Sequence, residues 1–113
     1  MSARSVTMQI VNETSLELNR TNASLSHGEW SQNRYPQASI GGNTKSSLFE
    51  SQSDGFMTGT QGTVSYNSDF TFNWDDPFSG SNSIGYDVPT GYKCTQDISG
   101  DDNCTVIWTI KNA

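Results

Sequence analysis

The sequence predicts an all-β chain: a single antiparallel β-sandwich domain over residues 1–113. Three observations carry this. The composition is polar but weakly charged, with 32% hydrophobic and 16% charged residues and ten glycines, which suits many short strands with hydroxyl and amide outer faces and frequent turns. The apolar residues alternate: Phe70, Phe72 and Trp74 share one face of an extended run while Thr71, Asn73 and Asp75 take the other, because strand side chains change sides at each residue. No stretch of useful length carries the helical period. A chain of 113 residues builds one core and not two, and 11% aromatic residues supply enough burial to exclude a disordered chain.

Each element follows from local pattern. Val6, Met8 and Ile10 alternate with Thr7 and Gln9 up to a turn at 12–14. Leu16 and Leu18 continue on one face, and the polar run 19–22 interrupts. Residues 25–30 form another short strand containing Gly28, a mark of a bulge or a close backbone approach that re-aims Glu29 and Trp30. Residues 31–43 are a polar loop, and 45–51 a strand with Leu48 and Phe49 on opposite faces. Residues 63–66 and 70–75 pair as a hairpin about the Asn67-Ser68-Asp69 turn, and Pro77 closes its ladder because it has no amide to donate. Ile84, Tyr86 and Val88 alternate before the turn at Pro89-Thr-Gly91. Residues 92–95 and 105–110 pair around a turn region at 96–103, with Val106, Trp108 and Ile110 on one face.

Charge excludes some functions. The net charge is −6 and the six basic residues are scattered singly, so no basic stripe exists to release counterions from nucleic acid. Clustered lysines that would reward anionic lipid are also missing. Membrane contact would therefore rest on aromatics and polar headgroup recognition. No apolar run approaches the roughly 20 residues of a spanning helix, and the N-terminus does not read as a signal peptide. The expectation from this is synthesis in the cytoplasm.

Residue types for chemistry are few. Cys94 and Cys104 suit neither a four-ligand zinc site nor a redox pair. The final hairpin brings them near one another, so they form a disulfide or remain two reduced thiols. His27, the only histidine, lies outside any nucleophile elbow, and Asp75 and Asp76 point to opposite faces of an extended chain. The expectation is no catalytic residue, no metal and no cofactor. Trp108 belongs to the core, Trp74 shares the face of Phe70 and Phe72, and Trp30 precedes a polar loop. Aromatics at loop tips suit a membrane interface, which singles out Trp30, Tyr35, Phe56 and Phe78.

The run SDGFMTGTQGTVSY followed by WDDPFSGSN, with Gly28, Trp30 and Glu50-Ser51 in order, resembles the aegerolysins. The similarity is greatest to the small component of two-component insecticidal crystal toxins of spore-forming bacteria. Fungal members carry Trp-Asp-Cys-Pro-Trp where this chain has Trp74-Asp75-Asp76-Pro77-Phe78, and an acidic residue where Thr58 stands. The resemblance implies an aegerolysin-like sandwich that binds target-cell lipid, sphingolipid among the candidates. It also implies storage as a crystal inclusion as one form of the protein, action outside the cell on target membranes, and joint action with a larger toxin protein, with self-association left open. The residues carried as lipid contacts are Trp30, Tyr35, Phe56, Thr58, Trp74, Asp75 and Phe78. A stand-alone haemolytic aegerolysin and a sugar-binding sandwich are the rival readings.

Overall fold

The structure, a computed structural model, describes residues 3–113. Its strands are β1 (Ser5–Asn12), β2 (Leu18–His27), β3 (Glu29–Trp30), β4 (Ser39–Ile40), β5 (Thr44–Lys45), β6 (Phe49–Gln52), β7 (Thr60–Tyr66), β8 (Phe70–Asp76), β9 (Ser83–Asp87), β10 (Tyr92–Gly100) and β11 (Asn103–Asn112). One sheet runs β10-β11-β1-β6-β3 with β5 also on β1; the other runs β4-β2-β7-β8-β9. The alternating residues face inward between them. Val6, Met8 and Ile10 from β1, Phe70, Phe72 and Trp74 from β8, and Val106, Trp108 and Ile110 from β11 are all buried. Phe72 and Trp108 meet across the layers with ring centroids 4.9 Å apart. Burying such side chains contributes about 1.5–3 kcal/mol each, which explains why period-two pattern fixes these strands.

Non-local pairing differs from the local reading in several places. β1 and β11 run parallel, Ser5 opposite Asn103 through Asn12 opposite Ile110, within an otherwise antiparallel sandwich. The polar run 19–22 does not interrupt a strand: β2 passes through it with a register irregularity between Arg20 and Asn22 against β7. Its polar side chains are tolerated because much of β2 faces solvent. Gly28 separates β2 in one sheet from β3 in the other. Its φ is +92°, and a Cβ there would stand 2.5 Å from both the Gln52 carbonyl and Thr60 Oγ1, so only glycine fits this corner.

The disulfide expectation is corrected. β10 and β11 pair without interruption down to a tight turn at Asp101 and Asp102, placing Cys94 opposite Ile110 and Cys104 opposite Gly100. Six residues of strand separate those rungs, roughly 20 Å, whereas a disulfide needs Cα atoms within about 7 Å. Both thiols are free. Burial pushes each up to about 11, so neither is an activated nucleophile.

Candidate functional site

The strands β2, β7 and β8 end together, and their register sorts side chains by face. His27 stands opposite Gln61, and Gln61 opposite Asp75, giving a polar rung on the outer face. The neighbouring rung, Thr60 opposite Asp76, points inward and is buried. Two loops, residues 53–59 and 77–82, fold over this end. Between them lies an open groove of about 480 Å³ lined by His27, Thr58, Gln61, Asp75, Phe78 and Ser79, among others. Gly59 lets the loops close: a Cβ there would sit 2.5 Å from the Asp76 carbonyl and 2.7 Å from Pro77 Cα.

On the groove's rim the chain turns at Met57, whose φ of +58° is unfavourable for a long side chain. Thr58 Oγ1 donates to the Gly55 carbonyl at 2.8 Å and ties the turn. The result is a tip with Phe56 92% exposed and Met57 57% exposed. Large apolar side chains held so far into water mark a contact surface when they occur together.

Beneath the groove wall, Arg4 Nε donates to the Pro77 carbonyl at 3.2 Å and Nη2 to the Phe78 carbonyl at 2.5 Å. Its guanidinium lies 5.0 Å from the centre of the Phe78 ring, a cation–π contact, and 3.5 Å from an Asp102 carboxylate oxygen. Asp76 is fully buried, and neither of its carboxyl oxygens has a hydrogen-bond partner among the described residues. Burial pushes Asp76 up to about 7, with Arg4 opposing and Asp102, Asp101 and Asp75 adding to the rise. Removal from water disfavours the charged carboxylate and is the leading cause of this rise.

The lipid contacts expected from sequence do not form one cluster. Thr58, Asp75 and Phe78 line the groove, and exposed Phe56 precedes Met57, which lines it as well. Trp30 and Tyr35 form a separate stack, edge to face at 5.3 Å, with Trp30 in turn 5.9 Å from Trp74. Trp74 is corrected: it is 1% exposed, and its indole donates to Ser51 Oγ at 2.8 Å, so it supports the wall from inside and touches no ligand. His27, Met57 and Arg4 were not expected at the site. The inward place of Asp76 was signalled by the alternation itself, since it is the next residue on the face of Phe72 and Trp74. Chemically, the groove offers hydrogen-bonding groups and one carboxylate. The backbones at His27 and Asp75 lie two strand spacings apart, about 9–10 Å, with Gln61 between them.

Comparison with known proteins agrees with this architecture. The aegerolysin family profile matches residues 3–99, and the chain belongs to that family. An uncharacterized protein of Dictyostelium discoideum is 34% identical over 107 residues; the match takes in 89% of this chain but only 9% of that much longer protein. Among solved structures, the RahU protein in complex with TRIS superposes with a TM-score of 0.80 at 17% identity, covering 100% of this chain and 98% of that one. The lipid binding protein Nakanori gives 0.79 at 11% identity, covering 99% and 73%. IP-1A from Alcaligenes faecalis gives 0.71 at 18%, covering 98% and 94%. At such identities these likenesses show the fold.

Proposed function

We propose that the chain is a non-enzymatic membrane-binding protein that seats the Phe56–Met57 tip in a lipid surface and presents the adjoining groove to a polar headgroup. The exposure of Phe56 beside Met57 at the mouth of a polar groove carries this reading. Family membership and the fold shared with a lipid-binding protein support it. We further propose that it works with a larger partner, as one component of a binary pore-forming insecticidal toxin acting after release from the producing cell. No helix among the described residues is long and apolar enough to cross a membrane. Insertion of its own strands would dismantle two hydrogen-bonded sheets, a cost that a partner supplying the inserted structure avoids.

Vesicle flotation tests the contact. Inserting one phenylalanine is worth about 1.5–3 kcal/mol, so Phe56→Ala should weaken vesicle binding roughly 10- to 100-fold. Its circular dichroism should be unchanged, because the side chain is almost wholly exposed. Undiminished binding by Phe56→Ala and Met57→Ala would overturn the reading; binding to a glycan array with none to vesicles would favour a sugar-binding sandwich. The chain alone should release vesicle dye only weakly. Strong leakage at low concentration would remove the partner from the mechanism and indicate a stand-alone lysin.

A further inference from the structure

We propose that the Asp76 corner is a pH-operated latch: loss of the Asp76 proton turns the Arg4 guanidinium from the Pro77 and Phe78 carbonyls to the Asp76 carboxylate, and the groove wall is released.

The geometry supplies each part. Asp76 is the last residue of β8 and leads directly into Pro77, Phe78 and Ser79, which form that wall. Arg4 fastens the wall from behind through the two carbonyls and the Phe78 ring. Gly59 packs against the same backbone in front, so the segment is held from both sides. The groups facing Asp76 come from every neighbouring element: Arg4 from just before β1, Asp101 and Asp102 from the β10–β11 turn, Cys104 from β11, and Asp75 from its own strand. From β7 comes Thr60, whose hydroxyl is occupied by Ser51 Oγ at 2.8 Å. Among these Arg4 is the one cation, and the Cys104 thiol stays neutral over the relevant range.

A protonated Asp76 is neutral and makes no demand on Arg4, which then holds the carbonyls. An ionised Asp76 is a buried charge with no partner, a costly state. A charge-assisted bond from guanidinium to carboxylate is stronger than one to a neutral carbonyl, so ionisation draws Arg4 inward. The wall then loses two backbone tethers, one at Pro77 and one at Phe78, and the Phe78 ring loses the cation over it. The sign follows from burial: the folded chain keeps this proton to about pH 7, against an ordinary value of 3.8. The latch is closed in acid and opens as pH rises through neutrality.

The latch is independent of whether the groove binds lipid, and its test uses no vesicle. In the uniformly ¹³C-labelled full chain, the Asp76 carboxyl and the Phe78 ring are followed between about pH 4 and 9. The Asp76 carboxyl should titrate near neutrality, and the Phe78 ring resonances should move with the same midpoint. Asp76→Asn, uncharged and of the same shape, should leave the Phe78 resonances at their acid positions throughout. His27 shares the groove, so His27→Gln must retain the Phe78 titration. Should Asp76→Asn fail to fold, the wild-type carboxyl decides by itself: titration complete below about pH 5 overturns the latch. So does a Phe78 ring that stays still while Asp76 titrates, or a Phe78 titration that persists in Asp76→Asn.

Discussion

Two corners of this sandwich use the same clasp on different foundations. At one, the Arg20 guanidinium lies 4.8 Å from the centre of the Tyr35 ring and donates to the Pro36 carbonyl at 2.5 Å. At the other, Arg4 lies 5.0 Å from the Phe78 ring centre and donates to the Pro77 carbonyl. Each arginine thus pins a proline carbonyl and covers the adjacent aromatic of a surface loop. What lies beneath differs. Under Arg20 is Tyr66, buried, with its hydroxyl donating to the Gln37 carbonyl at 2.6 Å; burial pushes its phenol up to about 12 despite Arg20. Under Arg4 is Asp76, equally buried but without a partner for either oxygen among the described residues. A satisfied, neutral group makes the Tyr35 clasp indifferent to physiological pH, whereas an orphaned acid makes the Phe78 clasp responsive. The device is the same; the hydrogen-bond state of the residue below sets its behaviour.

The largest effect should come from removing the arginines. Arg4→Ala leaves two carbonyls without their charged donor and uncovers a ring, a loss of roughly 2–4 kcal/mol. Arg20→Ala forfeits one such bond and one ring contact, roughly 1–3 kcal/mol. Thermal melts in acid should place Arg4→Ala below Arg20→Ala. Equal melting temperatures would mean that the second carbonyl bond contributes nothing.

An effect smaller within any single pH unit, but spread over several, separates the corners by pH. Between about 3.8 and 7 the folded chain retains a proton at Asp76 that the unfolded chain has lost. The contribution of Asp76 to stability is therefore greatest in acid, falls as pH rises through this window, and is flat above it. The slope is at most about 1.4 kcal/mol per pH unit, and less if water reaches the corner on ionisation. Asp76→Asn should flatten this part of the stability–pH curve, and Arg20→Ala should leave it as in the wild type. An undiminished slope in a folded Asp76→Asn would assign the dependence to other carboxylates.

These differences also show what the sequence makes legible. Val6-Met8-Ile10, Phe70-Phe72-Trp74 and Val106-Trp108-Ile110 announce their strands because a half-buried strand must alternate, and alternation is local. The same rule continued by one step places Asp76 inward; as one of a pair of acids it reads as part of a turn until the strand's end is fixed. Of the groove residues, Phe78 is identifiable by type and by proximity to a glycine turn, whereas Thr58 and Asp75 enter only through the family resemblance. Arg4 is not, since 72 intervening positions separate it in sequence from Pro77. The parallel union of β1 with β11 joins opposite ends of the chain, and only the assembled core selects it. Trp74 illustrates the reverse error: its aromatic character suits a membrane contact, but its strand face had already committed it to the interior.

The smallest expected effect concerns sulfur, since Cys104 stands at the Arg4 corner and Cys94 at the far end of the same hairpin. A disulfide between them would stiffen the Asp101–Asp102 turn and so restrain the latch without any involvement of Asp76. The register forbids that bond, with Cys94 opposite Ile110 and Cys104 opposite Gly100. Aerobically purified chain should therefore yield two thiols on unfolding without reductant, and its intact mass should not rise by two units on reduction. In the native state both should react slowly, because their thiols are held near 11 and the thiolate is the reactive form. Reductant should leave the melting temperature and its pH slope unchanged. A reductant-sensitive slope would show that the hairpin can re-register to join the cysteines, and would move control of this corner from the carboxylate to sulfur.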